Sequence, residues 1–254
     1  MWALTYNKKI MAVNVNTVYQ RVLAITNKEQ RGYLTPQEFN TIANQAQLDI
    51  FEQYFYDLNQ SLRLHGNDTH NADPVEILKE KISIFEKQGA NVTSGTTLPA
   101  DLYRLTAVQL NDKEAQYTSL KDFSRIKSQP LLRPHNNRPI YIKSDGLIKV
   151  YGNNASLAAE QKTSGVTCDY IKKPATVVWA YNVVLGKAIY NASATDAQNF
   201  ELHESEEVNL VNRILVLAGV MIEDPNLYKI AAAEEVKDIQ QEKQLMQTAS
   251  KKRK

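Results

Sequence analysis

The spacing of apolar residues changes period twice along the chain, and this constrains the fold more than any other feature of the sequence. Residues 12–95 and 175–247 carry apolar side chains at helical spacing. Residues 96–174 consist of short segments rich in β-branched and aromatic residues, separated by Pro, Asn and Gly. The pattern predicts an α+β protein, with a helical bundle from the N- and C-terminal segments and an inserted small antiparallel β unit. Residues 248–254 are predicted to be a basic, disordered tail.

The longest predicted helix begins at a capping box. Thr35 stands at the N-cap, Pro36 at the first helical position and Glu38 at the third. Leu34 and Phe39 occupy the two positions of a hydrophobic staple. The apolar positions that follow predict a helix from residue 36 to about residue 64: Phe39, Ile42, Ala43, Ala46, Ile50, Tyr54, Leu58 and Leu62.

The same stretch partly matches a calcium-binding loop. Asn27, Glu29, Gly32 and Glu38 have the spacing of EF-hand positions 1, 3, 6 and 12. Position 5, which needs an oxygen donor, is Arg31, whose fixed positive charge opposes cation binding. The capped helix therefore explains the residues better, and we predict no calcium site.

Five other segments are predicted to be helical. Asp73 and Glu76 repeat the capping pattern at the start of the helix that precedes the β unit. Within the segment 205–223, residues 208–222 are apolar almost all round, which predicts deep burial. The predicted bounds are 14–26, 74–87, 175–192, 205–223 and 225–247.

The last predicted helix is mostly polar. Its apolar residues form a broken stripe, which is typical of a helix that is poorly supported within its own monomer. We interpret it as a candidate inter-subunit helix, carried by Leu227, Ile230, Val236, Ile239 and Met246.

Strands are predicted in the middle of the chain. Asp145-Gly146 lies between two alternating runs and indicates a β-hairpin. A short helix is predicted within SLKDFSRIKS, residues 119–128. The predicted strand segments are LYRLTAVQL, AQYTSL, RPIYIKSDGLIKVYG and TCDYIKKP.

The sequence carries no recognisable catalytic, cofactor or metal motif. The nine glycines do not have the spacing of a nucleotide-binding loop, and no nucleophile elbow occurs. The single cysteine, Cys168, excludes an internal disulfide, fits a reducing compartment, and is interpreted as a small buried hydrophobe. The acidic cluster at Glu204, Glu206 and Glu207 has the placement that a helix dipole favours. We therefore expect a protein that is not an enzyme and has no cofactor.

Four strings stand in order along the chain: GYLTPQEFNTIANQAQLDIFEQYF, LPADLYRL, DYIKKP and FELHESEEVNLVNRILVLAGVMIEDPNLYKIAAAEE. Together they resemble the head-to-tail connector (ring or adaptor) proteins of podovirus-type, crAss-like tailed phages, and more distantly tail tubular protein A. The resemblance implies a virion structural protein, made in the host bacterial cytoplasm, that forms a ring expected to be dodecameric. Such a ring connects the portal to other tail ring or hub proteins and extends the channel through which genomic DNA leaves the capsid. The resemblance implies no catalytic residues.

The alternative is a sequence-independent nucleic-acid-binding protein that uses its basic C-terminus. The net charge is +2, to which the last four residues, Lys251, Lys252, Arg253 and Lys254, contribute +4, so the remaining chain is about −2. A body of that charge indicates no general polyanion-binding face. We interpret the tail as a solubilising end or a contact to a neighbouring protein or DNA. The longest apolar run, 214–222, is too short to span a membrane, so no membrane partner is expected.

Overall fold

The computed structural model describes residues 12–26, 34–63, 74–92, 98–129, 131–144, 146–152, 160–162 and 164–221, together with helical residues at 229, 233–234, 236–237 and 240. The chain divides into two compact units. The helical unit comprises Met1–Ile84 and Pro174–Lys254, and the sheet unit is Phe85–Lys173. Helices and antiparallel sheets are both present, which confirms the predicted α+β class.

The helical unit contains four α-helices and one β-hairpin in its described part. Its elements are α1 (Val15–Thr26), α2 (Pro36–Arg63), α3 (Pro74–Ser83), β9 (Tyr181–Val184), β10 (Lys187–Tyr190), a 3₁₀ turn (Glu204–Glu206) and α5 (Glu207–Met221). Helix α2 packs against α3 and α5, and α1 packs against α5. Their shared apolar faces form the core, which contains Val18, Val22, Phe39, Ala43, Ile50, Leu210, Ile214 and Ala218.

The start of α2 carries both hydrogen bonds of a capping box. The Glu38 backbone N–H donates to Thr35 Oγ1 at 3.3 Å, and the Thr35 N–H donates to Glu38 Oε2 at 2.8 Å. The Thr35 hydroxyl also donates to the same carboxylate oxygen at 2.7 Å, and these bonds lower the pKa of Glu38. Leu34 and Phe39 are both buried, as a hydrophobic staple requires. Residues 27–33, which would complete a calcium loop, lie outside the described residues.

The predicted helix over 175–192 is wrong. Residues 175–180 are extended, and 181–190 form the β9–β10 hairpin. Leu185 and Gly186 both have positive φ, at 50° and 77°, as the turn of a two-residue hairpin requires. The β-branched and aromatic residues of this segment favour strand over helix, and the backbone finds its partners on α2, as described below.

The helix that precedes the sheet unit is shorter than predicted. Helix α3 ends at Ser83 rather than at residue 87, and Glu86–Asn91 forms strand β1. Strand β1 pairs with β8 (Val166–Lys172), with an irregularity between Lys87 and Ala90. The sheet unit therefore begins at Phe85 and not at residue 96. Gly89, at φ +65°, has a conformation that a helix does not accept.

The prediction of deep burial all round the helix at 205–223 is wrong at its start. Leu210, Ile214 and Ala218 of α5 are fully buried, whereas Val208 in the first turn is 62% exposed. The side chains described after Val208, residues 209–219, are buried or half-buried.

The sheet unit consists of two four-stranded sheets and one helix. The remaining elements are β2 (Leu102–Leu110), β3 (Lys113–Glu114), β4 (Gln116–Tyr117), α4 (Leu120–Ser128), β5 (Ile140–Ser144), β6 (Leu147–Gly152) and β7 (Glu160–Lys162). The first sheet has the order β1-β8-β2-β3 and the second β4-β5-β6-β7. All pairs are antiparallel except β4–β5, which is parallel, so the predicted antiparallel unit is correct apart from this edge.

The two sheets share one core. Val108 and Cys168 of the first sheet pack in the same buried cluster as Ile148 and Val150 of the second. Helix α4 covers the other face of the second sheet, where Phe123 packs with Ile140 and Ile142. The predicted hairpin at 145–146 is the β5–β6 connection, with Ser144 opposite Leu147. Within the part of the chain that the structure describes, no helix is both long and apolar enough to span a membrane.

Candidate assembly surface

No cluster of three or more His, Cys, Asp or Glu side chains that could hold a metal ion occurs among the described residues. Cys168 is fully buried in the sheet core, and burial raises the pKa of its thiol, so its predicted role as a buried hydrophobe is confirmed.

The acidic cluster of the sequence is divided between two ion pairs. Lys81 Nζ lies 2.5 Å from Glu206 Oε1, and both side chains are largely buried. Asn209 Nδ2 donates to the other Glu206 oxygen at 3.1 Å. Arg21 contacts Glu207 at 2.9 Å in a more exposed position. These contacts join α1 and α3 to the start of α5, which gives the carboxylates a structural role.

An ionic cluster also joins strands β1 and β8 of the first sheet to the turn that precedes β2. Lys87 Nζ donates to Asp101 Oδ2 at 2.8 Å, and the Tyr170 hydroxyl donates to Asp101 Oδ1 at 2.9 Å. The bond from Lys87 is the main cause of the lowered pKa of Asp101, and the same bond raises the pKa of Lys87. The pKa of Tyr170 is raised, first by burial and then by its bond to Asp101. Both charged partners are thus held ionised, which suits a structural contact and not a general acid or base.

Three amide side chains on α2 hold the extended segment that leads into the β9–β10 hairpin. Asn40, Asn44 and Gln47 stand one turn apart on one face of the helix. Asn44 Oδ1 accepts from the Val177 N–H at 2.7 Å, while its Nδ2 donates to the Val177 carbonyl at 2.9 Å. The side chain therefore satisfies both backbone groups of a fully buried residue.

The other two amides continue this pattern along the segment. Asn40 Oδ1 accepts from the Trp179 N–H at 2.8 Å and its Nδ2 donates to the Trp179 carbonyl at 3.4 Å. Gln47 Nε2 donates to the Ala175 carbonyl at 2.9 Å and its Oε1 accepts from the Glu201 N–H at 3.0 Å. The amides contact every second residue of the segment, as a neighbouring strand would. We call Asn40, Asn44 and Gln47 the amide ladder.

The base of the hairpin packs on Trp179. The Tyr181 and Tyr190 rings, which lie opposite each other on β9 and β10, each stack on the indole with centroids 5.7 Å apart. The indole packs against Tyr19 at 4.2 Å, and its Nε1–H donates to Asn16 Oδ1 at 3.1 Å. Trp179 is 2% exposed, so the hairpin is fixed to the core of the helical unit.

The chain that follows the hairpin closes the same base. Val178 and Gln198 exchange two backbone hydrogen bonds of 3.1 Å, and the Asn191 N–H donates to the Ala180 carbonyl at 2.9 Å. Farther on, Asn199 Oδ1 accepts from the Val15 N–H at 3.1 Å at the start of α1. These long-range bonds give the hairpin a fixed direction.

The tip of the hairpin is apolar and exposed. Leu185 in the turn is 98% exposed, and Val183 and Val184 in the adjoining strand are 66% and 49% exposed. Ile189 on the return strand is 53% exposed. Four neighbouring apolar side chains in water, on a base fixed by aromatic stacking, are typical of an interaction site.

The residues that the sequence analysis selected for partner contact lie almost entirely outside the described part of the chain. This holds for Lys251, Lys252, Arg253, Lys254, Leu227, Ile230, Ile239 and Met246. Val236 is described: it is helical and 52% exposed. The hairpin was missed, although Leu185-Gly186 between two β-branched and aromatic runs was a usable signal.

Comparison of the sequence with known proteins gives no assignment. No protein-family model matches the chain, and no curated protein matches it. The function must therefore be argued from the residues and the surfaces described above.

Proposed function

We propose that this chain is a virion structural protein: one subunit of a ring that connects the portal and capsid to the phage tail and extends the DNA exit channel. The observation that carries the proposal is the β9–β10 hairpin, which holds four exposed apolar side chains on a buried aromatic base. The resemblance of the four sequence strings to connector proteins supplies the biological context. In this context the protein is made in the host bacterial cytoplasm and ends in the virion.

The occupant that we propose for the hairpin tip is a second copy of this chain. A ring of more than two members needs heterologous contacts, in which one patch meets a different patch on the next subunit. The helical unit carries the projecting hairpin and also exposed apolar side chains on its helices: Tyr56 on α2 (54%), Ile77 on α3 (50%) and Val208 on α5 (62%). One chain thus offers both a projecting apolar element and separate apolar positions that can receive it.

The energetics require that the hairpin act together with other contacts. Burying four largely exposed aliphatic side chains stabilises association by about 4–8 kcal/mol at 1.5–3 kcal/mol per fully buried side chain, reduced for partial exposure. Loss of translational and rotational freedom costs about 4–15 kcal/mol. The hairpin alone does not reliably exceed that cost. The last predicted helix, residues 225–247, is our candidate for the additional contact through its apolar stripe from Leu227 to Met246.

The ring is proposed to have twelve copies, with the portal protein on one side and other tail ring or hub proteins on the other. Passing genomic DNA lies in its channel. A dodecamer follows from the resemblance, and the hairpin requires only a closed heterologous assembly.

Native mass measurement of the purified chain tests the proposal. We expect the wild type to form a closed oligomer, and the variant Val183→Ser/Leu185→Ser to remain a folded monomer. Leu131→Ser is the matched control, because Leu131 is 93% exposed but lies in the sheet unit. It should assemble like the wild type.

Two outcomes would contradict this proposal. If the hairpin variant forms the same oligomer as the wild type, the hairpin is not the subunit contact. If the wild type stays monomeric and purified virions lack the chain, the connector function is wrong. If the wild type forms the expected oligomer and is present in virions, imaging of intact virions fixes the position of the ring in the tail.

A further inference from the structure

The charges of the chain are unevenly divided between its two units. The sheet unit has 13 Lys and Arg residues against eight Asp and Glu, an excess of five positive charges. Within it, residues 119–144 alone hold six basic residues and one acidic residue. The rest of the unit is balanced, with seven of each sign, so the whole excess lies in α4 and the chain that follows it.

The packing of α4 turns its basic residues toward solvent. Phe123 and the partly buried Ile126 pack on the second sheet. On a helix of 3.6 residues per turn, Lys121 and Arg125 then lie on the opposite side, and both are exposed. Lys127, at the end of the helix, is exposed as well.

The acidic residue of this segment is engaged in the helix cap. Asp122 Oδ2 accepts from the Ser119 hydroxyl at 2.7 Å, and the Asp122 N–H donates to Ser119 Oγ at 3.1 Å. Its charge thus lies in the first turn, where the helix dipole favours it. Two acidic residues of the first sheet also have polar partners of their own, Asp101 with Lys87 and Asp169 with the Gly89 N–H at 2.8 Å.

Two further cations lie in the elements that follow α4 along the chain. Arg138 is exposed in the loop between α4 and β5, where its backbone is fixed by two hydrogen bonds with His135 of 2.8 and 3.2 Å. Lys149 on β6 lies opposite Ile142 of β5, on the face of the second sheet that α4 covers. We call Lys121, Arg125, Lys127, Arg138 and Lys149 the α4 basic face.

We propose that the α4 basic face binds the phosphate backbone of duplex DNA without reading its sequence. Lysine and arginine side chains contact phosphates of any sequence, and they release counterions when they do so. Lys121 and Lys127 are separated by about 9 Å along the helix axis, at 1.5 Å per residue. That length spans two to three phosphates of one strand, at about 3.4 Å of axis per phosphate.

Duplex is preferred over single-stranded nucleic acid because the described aromatic rings beside α4 are packed against other rings. Tyr151 packs its ring on Phe123 at 4.3 Å between centroids, and Tyr117, which precedes the helix and is 56% exposed, packs its ring against Tyr141 at 5.5 Å. Single-strand binders need exposed aromatic rings on which bases stack. Both the surface and the ligand differ from those of the hairpin, and a monomer displays the same face, so the inference does not depend on ring formation.

Fluorescence anisotropy with a labelled 20-base-pair duplex of mixed sequence tests this inference on the full chain. The test variant is Lys121→Gln/Lys127→Gln/Arg138→Gln. The matched control, Lys79→Gln/Lys113→Gln/Lys173→Gln, removes the same charge from three exposed positions elsewhere. A third variant replaces residues 251–254 with Ser, which separates the basic tail from the α4 basic face.

We expect the test variant to bind at least about tenfold more weakly than the wild type at 0.1 M salt. The slope of log affinity against log salt should fall by about 2–3, at about 0.9 per phosphate contact. The matched control should bind within about threefold of the wild type. Circular dichroism and native mass verify that all variants keep the wild-type fold and oligomeric state.

Three results would overturn the inference. The first is that the wild type does not bind the duplex even at low salt, where sequence-independent binders are strongest. The second is that the test variant and its matched control lose the same affinity, which would leave only a net-charge effect. The third is that the tail variant loses all binding to the duplex, which would assign the DNA contact to residues 251–254 instead. Failure to form a ring, with these affinities as expected, would contradict the proposed function and leave this inference standing.

Discussion

Replacement of Asn44 by Ala isolates the amide ladder, the feature on which the direction of the hairpin depends. Asn44 makes two hydrogen bonds to Val177, of 2.7 and 2.9 Å, and a third from Nδ2 to the Asn40 carbonyl at 2.7 Å. Val177 is fully buried, so its N–H and carbonyl lose their partners without gaining water.

The magnitude follows from these bonds. An unsatisfied buried polar group costs about 1–3 kcal/mol, which gives about 2–6 kcal/mol for the two Val177 groups. Alanine has a better helix propensity than asparagine, which returns roughly 0.5 kcal/mol. We therefore expect Asn44→Ala to lower the free energy of unfolding by about 2–5 kcal/mol.

Urea denaturation of the full chain measures this loss, with the fluorescence of Trp179 as the probe of the helical unit. Trp179 lies in the segment held by the ladder, and a Trp2→Phe background makes it the only indole. Gln45→Ala is the control: it removes a bond of 3.3 Å to Asp49 on the exposed side of the same helix, and should cost less than about 0.5 kcal/mol.

A second variant separates the two halves of the contact. Asn44→Asp keeps the oxygen that accepts from the Val177 N–H but loses the donor to its carbonyl. It should be destabilised and should become more stable as the pH falls and the new carboxyl group is protonated. A loss below about 1 kcal/mol in Asn44→Ala would refute the argument, because the extended segment would then be held by something other than the ladder.

Two further predictions concern the cap and the ionic cluster. Thr35→Ala should lower stability by about 1 kcal/mol in urea denaturation, because the first turn of α2 loses its N-cap oxygen; an unchanged midpoint would show that solvent replaces the cap. The lowered pKa of Asp101 means that its contribution is present above its unfolded pKa near 3.9 and is lost as the pH falls through the lower folded value. Lys87, with a raised pKa, loses its contribution only as the pH rises above about 10.4. Asp101→Asn should therefore flatten the acid side of the stability profile, measured by urea midpoints from pH 2 to 5, and an unchanged slope there would contradict this assignment.

Local signals in the sequence were sufficient to predict the helices that begin at a recognisable N-cap residue. The box at Thr35 and Glu38 and the apolar spacing after it predict α2 to within one residue of its end at Arg63. The same holds for the short helix α4, whose N-cap is Ser119. In both cases the deciding interactions lie within four residues along the chain.

The hairpin was not predictable in this way because its deciding partners are distant in sequence. The residues of the amide ladder are separated by 128 to 154 positions from the backbone groups that they bind on residues 175–179 and on Glu201. From the sequence alone, Asn40, Asn44 and Gln47 are ordinary polar residues on a helix. Strand β1 could not be predicted for the same reason. Glu86–Asn91 is mostly polar and exposed, and it becomes a strand because it pairs with β8.

The net charge of the chain does not show how charged residues are divided between the sheet unit and the helical unit. A total of +2 is the sum of +5 in the sheet unit and −3 in the helical unit, which includes the four charges of the tail. Without its last four residues the chain has a net charge of about −2, and this total left only the basic tail as a candidate for DNA contact. Once the two units are known, the excess of basic over acidic residues is found in residues 119–144, which include α4. The helical unit without its tail is acidic.

This division assigns the two proposed contacts to forces that respond oppositely to salt. Contacts of the hairpin tip are apolar, so salts that strengthen apolar burial, such as sulfate, should favour assembly. Binding of phosphates by the α4 basic face releases counterions and should weaken steeply with salt. A connector must hold its subunits together permanently while DNA moves past them. In the proposed connector, separate apolar and ionic surfaces would meet both needs in one chain, because the proposed ionic contact to DNA would be weak and reversible under conditions that leave the proposed apolar contact intact.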